Sequence, residues 1–540
     1  MRVTNRLRLR QRMRQWSLIF VAFFVAVTGS LAAFGQEEHA LNISIGSEPP
    51  SISPTLATDT TSGAIVSNVF EGLTEVGTQE PAGAETWEVS EDGRVYTFKL
   101  RQDAKWSNGE PVTAHDYEYA WKSMVNPESA AGNAAMLYII EGAKAYNEGQ
   151  AQADEVGVKA LDDYTLEVTL VDPTPYFISL TGHYNFFPIN KRIASEDANW
   201  ANDLSDQYIS NGPFVLTAWN HNSDLVLEKN DHYWDKDNVA LDVVNIDIID
   251  SASTANVAFQ NGSIDYIGSP FNSISLEAID IYKDQGILQT SDYIADYWYV
   301  LNTEDDVMAN VNIRKALALA IDRQSLIEHV TKGGQTAAFG LVPPYVEGFG
   351  DTNQYFPDSA YDEAKEYLAK GLEELGMKDP SELSLQISIN TDEGHAAIAQ
   401  YIQDEWNTHL GVQSNIDNTE WQVFLDKMDQ KDYQIGRLGW TGKYNDGNTF
   451  LDIYTSKDHG INYTGWEDEE YTRLMAEAAK EVDEAKRLSL MKEAEAIFID
   501  QMPVIPIFYY SNTYVFKDHV KNMKPDLQGR VLLKHVSIER

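Results

Sequence analysis

None of the 540 residues is a cysteine. Disulfides, thiolate metal ligands and thiol nucleophiles are all excluded, and with them the lipid-bearing cysteine that tethers many exported proteins. Whatever this chain folds into is held by burial, hydrogen bonds and charge alone. Apolar residues make up 43% of it, enough for packed cores. The length exceeds what one core serves, so two or three domains are expected. The 12 Trp and 28 Tyr are core material first, and such residues also line binding clefts.

The N-terminus reads as an export signal. Residues 1–16, MRVTNRLRLRQRMRQW, carry six arginines and no acid, and the apolar run SLIFVAFFVAVTGSLAAFG follows. Basic, apolar and small-residue segments in that order describe a secretory signal, with cleavage near Gly35. The run nearly reaches spanning length, so an uncleaved anchor is the alternative. Residues 1–35 are assigned to this signal or anchor, which places the rest outside the cytoplasm, in the periplasm or at the cell surface. The formal net charge is −42, and removal of the signal arginines makes the balance more acidic still. Such a field repels nucleic acid and anionic lipid, so no nucleic-acid partner is expected, and a monomer is.

The remainder mixes strands and helices. RVYTFKLR (94–101) alternates like a half-buried strand. Thr113 with Asp116 makes a capping-box start to a helix carrying Tyr117, Tyr119 and Trp121. Residues 212–235 read as a hairpin turning at Asn220–Ser223. The clearest helix is 312–330, with Ile313, Leu317, Ala320 and Ile321 on one face. Further helices are expected at 361–376, 394–409 and 468–500, the last broken once, and PVIPIFYY reads as a buried strand. Uneven alternation of strands and helices predicts α/β or α+β domains.

Within RLGWTGKYNDGNTFLD, starting at Arg437, an arginine, a tryptophan and a lysine fall within seven residues, spaced by glycines. In so acidic a chain this reads as a surface loop or as a site for an anionic or amphipathic ligand. It is no phosphate loop: Gly436 lies one residue too far from Gly442-Lys443, and Tyr444 replaces the Ser/Thr. No H-E-x-x-H or G-x-S-x-G motif occurs, and the histidines show no helical metal-ligand spacing. No catalytic residue, metal or cofactor is therefore assigned, and a secreted hydrolase is the disfavoured alternative.

WEVSEDGRVYTFKLRQDAKWSNGEPVTAHDYEYAWK (87–122), ALDDYTLEVTLVDPTPYF, NGPFVLTAWN, VNIRKALALAIDR and EWQVFLDKMDQKDYQIGRLGWTGKYND together resemble the family 5 extracellular solute-binding proteins, the oligopeptide- and dipeptide-binding receptors of ABC importers. The resemblance runs in order from about residue 41 to the C-terminus. It implies a two-lobed α/β periplasmic-binding-protein fold, type II-like, with an additional inserted domain. By that likeness lobe I comprises 36–70, 191–295 and 511–540, the inserted domain 71–190, and lobe II 296–510. It also implies a receptor that captures oligopeptides between its lobes and delivers them to a membrane ABC permease. Relatives take up nickel complexes, haem, oligosaccharides or modified peptides, so a receptor for a non-standard ligand is the runner-up.

A receptor for many peptides binds their constant parts, the backbone and the charged ends. Arg437 suits a carboxylate, because its planar fork makes two parallel hydrogen bonds. Trp440 and Trp421 match tryptophans that line side-chain pockets in related receptors; ordinary core packing is the competing reading, strongest for Trp421. His395 falls where some oligopeptide receptors reach the ligand's C-terminal carboxylate, and Lys332 is a similar candidate. Tyr138 is placed to reach the cleft from the inserted domain, and Thr60 to offer a strand edge to the peptide backbone. Lys443 departs from the family, which usually carries there an aspartate that pairs with the peptide's α-ammonium. Three readings are open: Asp446 takes that role; the ligand lacks a free amino terminus or presents an acid; or Lys443 points to solvent.

Overall fold

The computed structural model describes residues 39–539 apart from 130, 353, 458 and 459; the signal or anchor assigned to 1–35 lies outside the described residues. The strand expected at 94–101 runs Val95–Leu100, and its period of two buries Tyr96, Phe98 and Leu100. It belongs to a four-stranded antiparallel sheet ordered Ala84–Val89, Val95–Leu100, Thr165–Thr169, Val158–Asp162. Helix Ala114–Met124 begins at the expected capping box, where the Thr113 N–H donates to Asp116 Oδ2 at 2.8 Å. Asp116 Oδ1 also accepts the Lys191 N–H at 2.9 Å, so one carboxylate starts this helix and holds the first residue of a later one, Lys191–Glu196.

The hairpin forms as read, with strands Phe214–Asn220 and Asp224–Lys229. It continues antiparallel into Val243–Ile248, which pairs in parallel with Ala40–Ile45. This sheet and the previous one share a single apolar core, drawn from Leu41 through Phe271 and completed by Tyr514 through Ile538.

A second core, Ile294 through Phe508, packs around a seven-stranded sheet. Its order is Thr336–Ala337, Val504–Phe516, Gln289–Leu301, Ile435–Thr441, Ser384–Asn390, Gln413–Thr419, and Tyr266–Gly268 pairs with the far end of Val504–Phe516. The last three strands of the main path are parallel. Helices Tyr361–Glu374, Glu393–Leu410, Glu469–Ala478 and Glu484–Gln501 stand where the sequence places them, including the single break. The expected two-lobed α/β architecture with an additional sheet is present.

The helix read at 312–330 is interrupted. It runs Val311–Leu319 and resumes at Arg323. Asp322 takes an extended backbone, and its carboxylate accepts the Ser325 N–H at 2.8 Å, a new N-cap that outweighs the unbroken apolar period. The break turns Arg323 inward, where it is fully buried and donates to the carbonyls of Pro506 and Ala318.

PVIPIFYY extends into a 13-residue strand, Val504–Phe516, antiparallel to the equally long Gln289–Leu301. This pair bridges the cores. Tyr297 through Leu301 and Val504 through Phe508 belong to the second core, Tyr514 to the first, and Val515 to a small third cluster with Phe259 and Tyr282.

Candidate ligand-binding site

A cavity of about 900 Å³ opens between the two large cores. The bridging strands cross its wall, with Tyr293 and Tyr297 from one and Phe508, Tyr510, Ser511 and Thr513 from the other. The first core contributes Thr60, Gly63, His183 and Tyr184, and the second contributes Asp392, His395 and Ile398. Thr441, Gly442 and Lys443 line it beside the C-terminal turn Gln528–Arg530.

Three of the nine sequence candidates, Thr60, His395 and Lys443, line this cavity. Thr60 does so in a different conformation from the strand edge expected. It is the first residue of helix Thr60–Val69, because Asp59 accepts the Ser62 N–H at 2.9 Å and caps that helix. His395 sits in the first turn of Glu393–Leu410, its N–H held by Asp392 Oδ1 at 2.9 Å. Burial, and then the nearby Arg437 charge, hold its imidazole at about 4. Near neutral pH it therefore offers an uncharged hydrogen-bonding group.

Lys443 is half-buried, and burial lowers its pKa. Its ammonium lies 5.6 Å from the Trp440 ring centroid.

Arg437 stands one layer behind the wall. It donates to the Tyr510 hydroxyl at 3.1 Å and to Asn390 Oδ1 at 3.3 Å, and its guanidinium lies 4.8 Å from the Tyr297 ring centroid. It thus braces two tyrosines that do face the cavity. Trp440 is also behind the surface, its indole N–H donating to the Thr449 carbonyl at 2.8 Å. Asp446 is bound by both terminal nitrogens of Arg487, at 2.7 and 2.8 Å. Lys332 is ion-paired with Asp280 at 2.8 Å, beside the lining residues Thr331 and Gly333. Tyr138 turns to Asn147, donating to its Oδ1 at 2.6 Å, and is not in the cavity wall. Trp421 is 45% exposed on helix Trp421–Asp429, stacked on Phe424.

The glycines around Trp440 provide space rather than flexibility. A Cβ on Gly436 would meet the Met428 sulfur at 2.6 Å, one on Gly439 the Asp296 carbonyl oxygen at 2.6 Å, and one on Gly442 the Ile294 side chain at 3.1 Å. Gly439 and Gly442 thus let this segment lie against Gln289–Leu301, and Gly436 makes room for Met428 of helix Trp421–Asp429.

Residues the sequence reading missed include Tyr297, Tyr510, Gln528 and Arg530. Tyr510 ends the stretch read as a buried strand, and Tyr297 lies in one that carried no reading. Gln528 and Arg530 flank Gly529, whose φ of 73° marks a turn without revealing what it faces. The Gln528 amide donates to the Lys443 carbonyl at 2.5 Å, and Arg530 Nε pairs with Asp526 at 3.0 Å. Among the described residues no group of three or more His, Asp or Glu is placed to hold a metal ion, and no helix is long and apolar enough to cross a membrane.

Residues 78–462 match the model of the bacterial extracellular solute-binding proteins, family 5, middle region. The chain is 42% identical to the oligopeptide-binding protein OppA of Bacillus subtilis (strain 168), over 97% of this chain and 99% of that one. Haemophilus influenzae OppA, solved in complex with the peptide RPPGFSPFR, superposes with a TM-score of 0.77 at 29% identity, covering 93% of this chain and 99% of that one. The substrate-binding domain of an oligopeptide ABC transporter from Bacillus anthracis superposes with a TM-score of 0.75, also at 29% identity, covering 93% and 99%.

Proposed function

Because the chain belongs to family 5 of the bacterial extracellular solute-binding proteins, we propose that it is an extracytoplasmic receptor that captures peptides in the cavity between its cores and hands them to an ABC importer. Its relatives include oligopeptide-binding proteins, and one is solved with a nine-residue peptide bound. The observation that carries the reading is an open strand edge. Strand Ile435–Thr441 pairs with Gln289–Leu301 along its whole length on one side, but with Ser384–Asn390 only at Ile435 and Gly436 on the other. From Arg437 to Thr441 that second edge has no strand partner among the described residues, and it ends at the cavity-lining Thr441, Gly442 and Lys443. A peptide laid along it gains main-chain hydrogen bonds whatever its side chains are.

The lobe limits at 295/296 and 510/511 fall inside the two bridging strands, which makes that pair the hinge on this reading. Binding then shifts an open–closed equilibrium and no bond is broken. The test is thermal unfolding of the full chain with defined short peptides, followed by mass spectrometry of the recovered peptide. A ligand that binds only the folded form raises the melting temperature by mass action. Stabilisation with intact peptide supports the receptor; cleaved peptide favours a hydrolase, and indifference to every peptide removes the reading.

A further inference from the structure

The cavity wall contains a lysine that has no counter-charge among the described residues. Of the basic side chains lining it, Arg530 is paired with Asp526. Lys443 has no ion pair among the described residues; burial alone accounts for its lowered pKa, and its ammonium lies over the Trp440 ring. The nearest acid in sequence, Asp446, is held in both arms by Arg487, and both side chains of that pair are largely buried. It is not available to turn toward Lys443. Nor is Lys443 a freely solvated lysine: the residue is half-buried, lines the cavity and holds its ammonium over the Trp440 ring. His183, which feels the charges of Arg530 and Lys443, is held neutral chiefly by burial. Asp59, Asp250 and Asp392 also line the cavity, and among its lining lysines and arginines Lys443 is the one with no ion pair among the described residues.

A half-buried ammonium without a partner costs free energy that a ligand anion recovers. The same charge repels a ligand ammonium. Resting on the peptide-capture reading, we propose that Lys443 receives a carboxylate of the bound peptide, so that the receptor selects ligands bringing an acidic group to the end of the cavity bounded by Lys443, Gln528 and Arg530. That carboxylate is either the peptide's C-terminus or an acidic side chain.

The experiment is calorimetric titration of the full chain with matched short peptides: one with a free C-terminus and no acidic side chain, its C-terminal amide, and amides carrying one Glu at each position in turn. For the wild type, Kd rises about tenfold or more when the carboxylate is lost. For Lys443→Met the same change costs less than about twofold. Lys443→Arg keeps the preference, and an unchanged melting temperature with retained binding of the amide shows that Lys443→Met is folded. A loss on amidation alone identifies the terminus as the source; recovery by one placed Glu identifies the side chain. If carboxylate and amide bind alike in the wild type, or the preference survives intact in Lys443→Met, the proposal is overturned while peptide capture stands. If no peptide in the set binds the wild type, peptide capture itself fails, and this inference with it.

Discussion

The rings of Tyr176 and Tyr444 stack with 4.2 Å between centroids and 7° between planes. Tyr176 packs on the first core and immediately precedes helix Phe177–Leu180. Tyr444 follows strand Ile435–Thr441 of the seven-stranded sheet, one residue beyond the cavity-lining Lys443. The stack thus joins the two sides of the cavity. The Asn448 amide donates to both hydroxyls, at 3.3 and 3.1 Å, and the Arg487 guanidinium lies 5.8 Å from the Tyr176 centroid.

Tyr444→Ala removes a contact made across the cavity. An aromatic pair contributes about 0.5–1.5 kcal/mol beyond its buried area, so peptide Kd rises roughly two- to tenfold. The radius of gyration of the peptide-saturated protein, read by small-angle X-ray scattering, moves toward the unliganded value. Tyr444→Phe keeps the stack and stays near wild type. Unchanged affinity in the alanine variant would show that the stack does not support closure.

Arg487→Met leaves the Asp446 carboxylate largely buried and unpaired. Breaking one side of a buried pair costs about 3–5 kcal/mol, so the urea midpoint falls sharply. Adding Asp446→Asn to that variant restores part of the loss, because the stranded charge is gone. A double variant no more stable than Arg487→Met alone would refute the pairing.

Two buried groups give opposite pH dependences. The unfolded chain protonates His395 near its ordinary 6.5, whereas the native form resists until about 4; the unfolded state binds more protons in that window, so stability falls as pH drops through it. Burial raises Glu495 to about 7, although the N–H groups of Leu341 and Val342 and the Tyr355 hydroxyl donate to it. The native form keeps that proton well above the ordinary 4.5, so this contribution is lost as pH rises toward 7. Urea titrations between pH 4 and 8 are expected to show His395→Asn flattening the acid-side loss and Glu495→Gln removing the loss toward neutrality. Wild-type profiles in both variants would contradict both assignments.

Gly439→Ala places a methyl 2.6 Å from the Asp296 carbonyl oxygen, a backbone atom in the opposing strand. That strand cannot yield as a side-chain end does, so the expected loss is about 1–3 kcal/mol, together with weaker peptide binding because the open edge is displaced. Wild-type denaturation and binding would show that the strand pair accommodates the methyl group.

Much of the local structure was legible. Tyr96, Phe98 and Leu100 alternate in a stretch too short for other patterns, and Thr113 with Asp116 closes a capping box within four residues. The hairpin turns where Asn220 through Ser223 demand it. These signals act between near neighbours, so sequence spacing is a fair guide to distance. The helix over 312–330 misled because its apolar period runs on through a residue, Asp322, that caps a new helix.

The site was legible in its segment but not in its geometry. Spacing singled out Arg437, Trp440 and Lys443, yet only Lys443 lines the cavity; Arg437 braces two lining tyrosines from behind, and Trp440 is held by the Thr449 carbonyl. In a strand, neighbouring side chains leave on opposite faces, and which face meets the cavity depends on partner strands far away in sequence. The glycines beside Trp440 had the look of a flexible loop, and their use is set by Met428, Asp296 and Ile294.

By itself the sequence determined the cysteine-free α/β build, most element positions and the likeness to a solute-binding family. Only the tertiary structure decided which charges are satisfied. Arg487, 41 residues from Asp446 in sequence, claims that acid and leaves Lys443 at the cavity wall with no ion pair among the described residues. Coulomb interaction follows distance in space and the local dielectric, and neither is written in the order of residues along the chain.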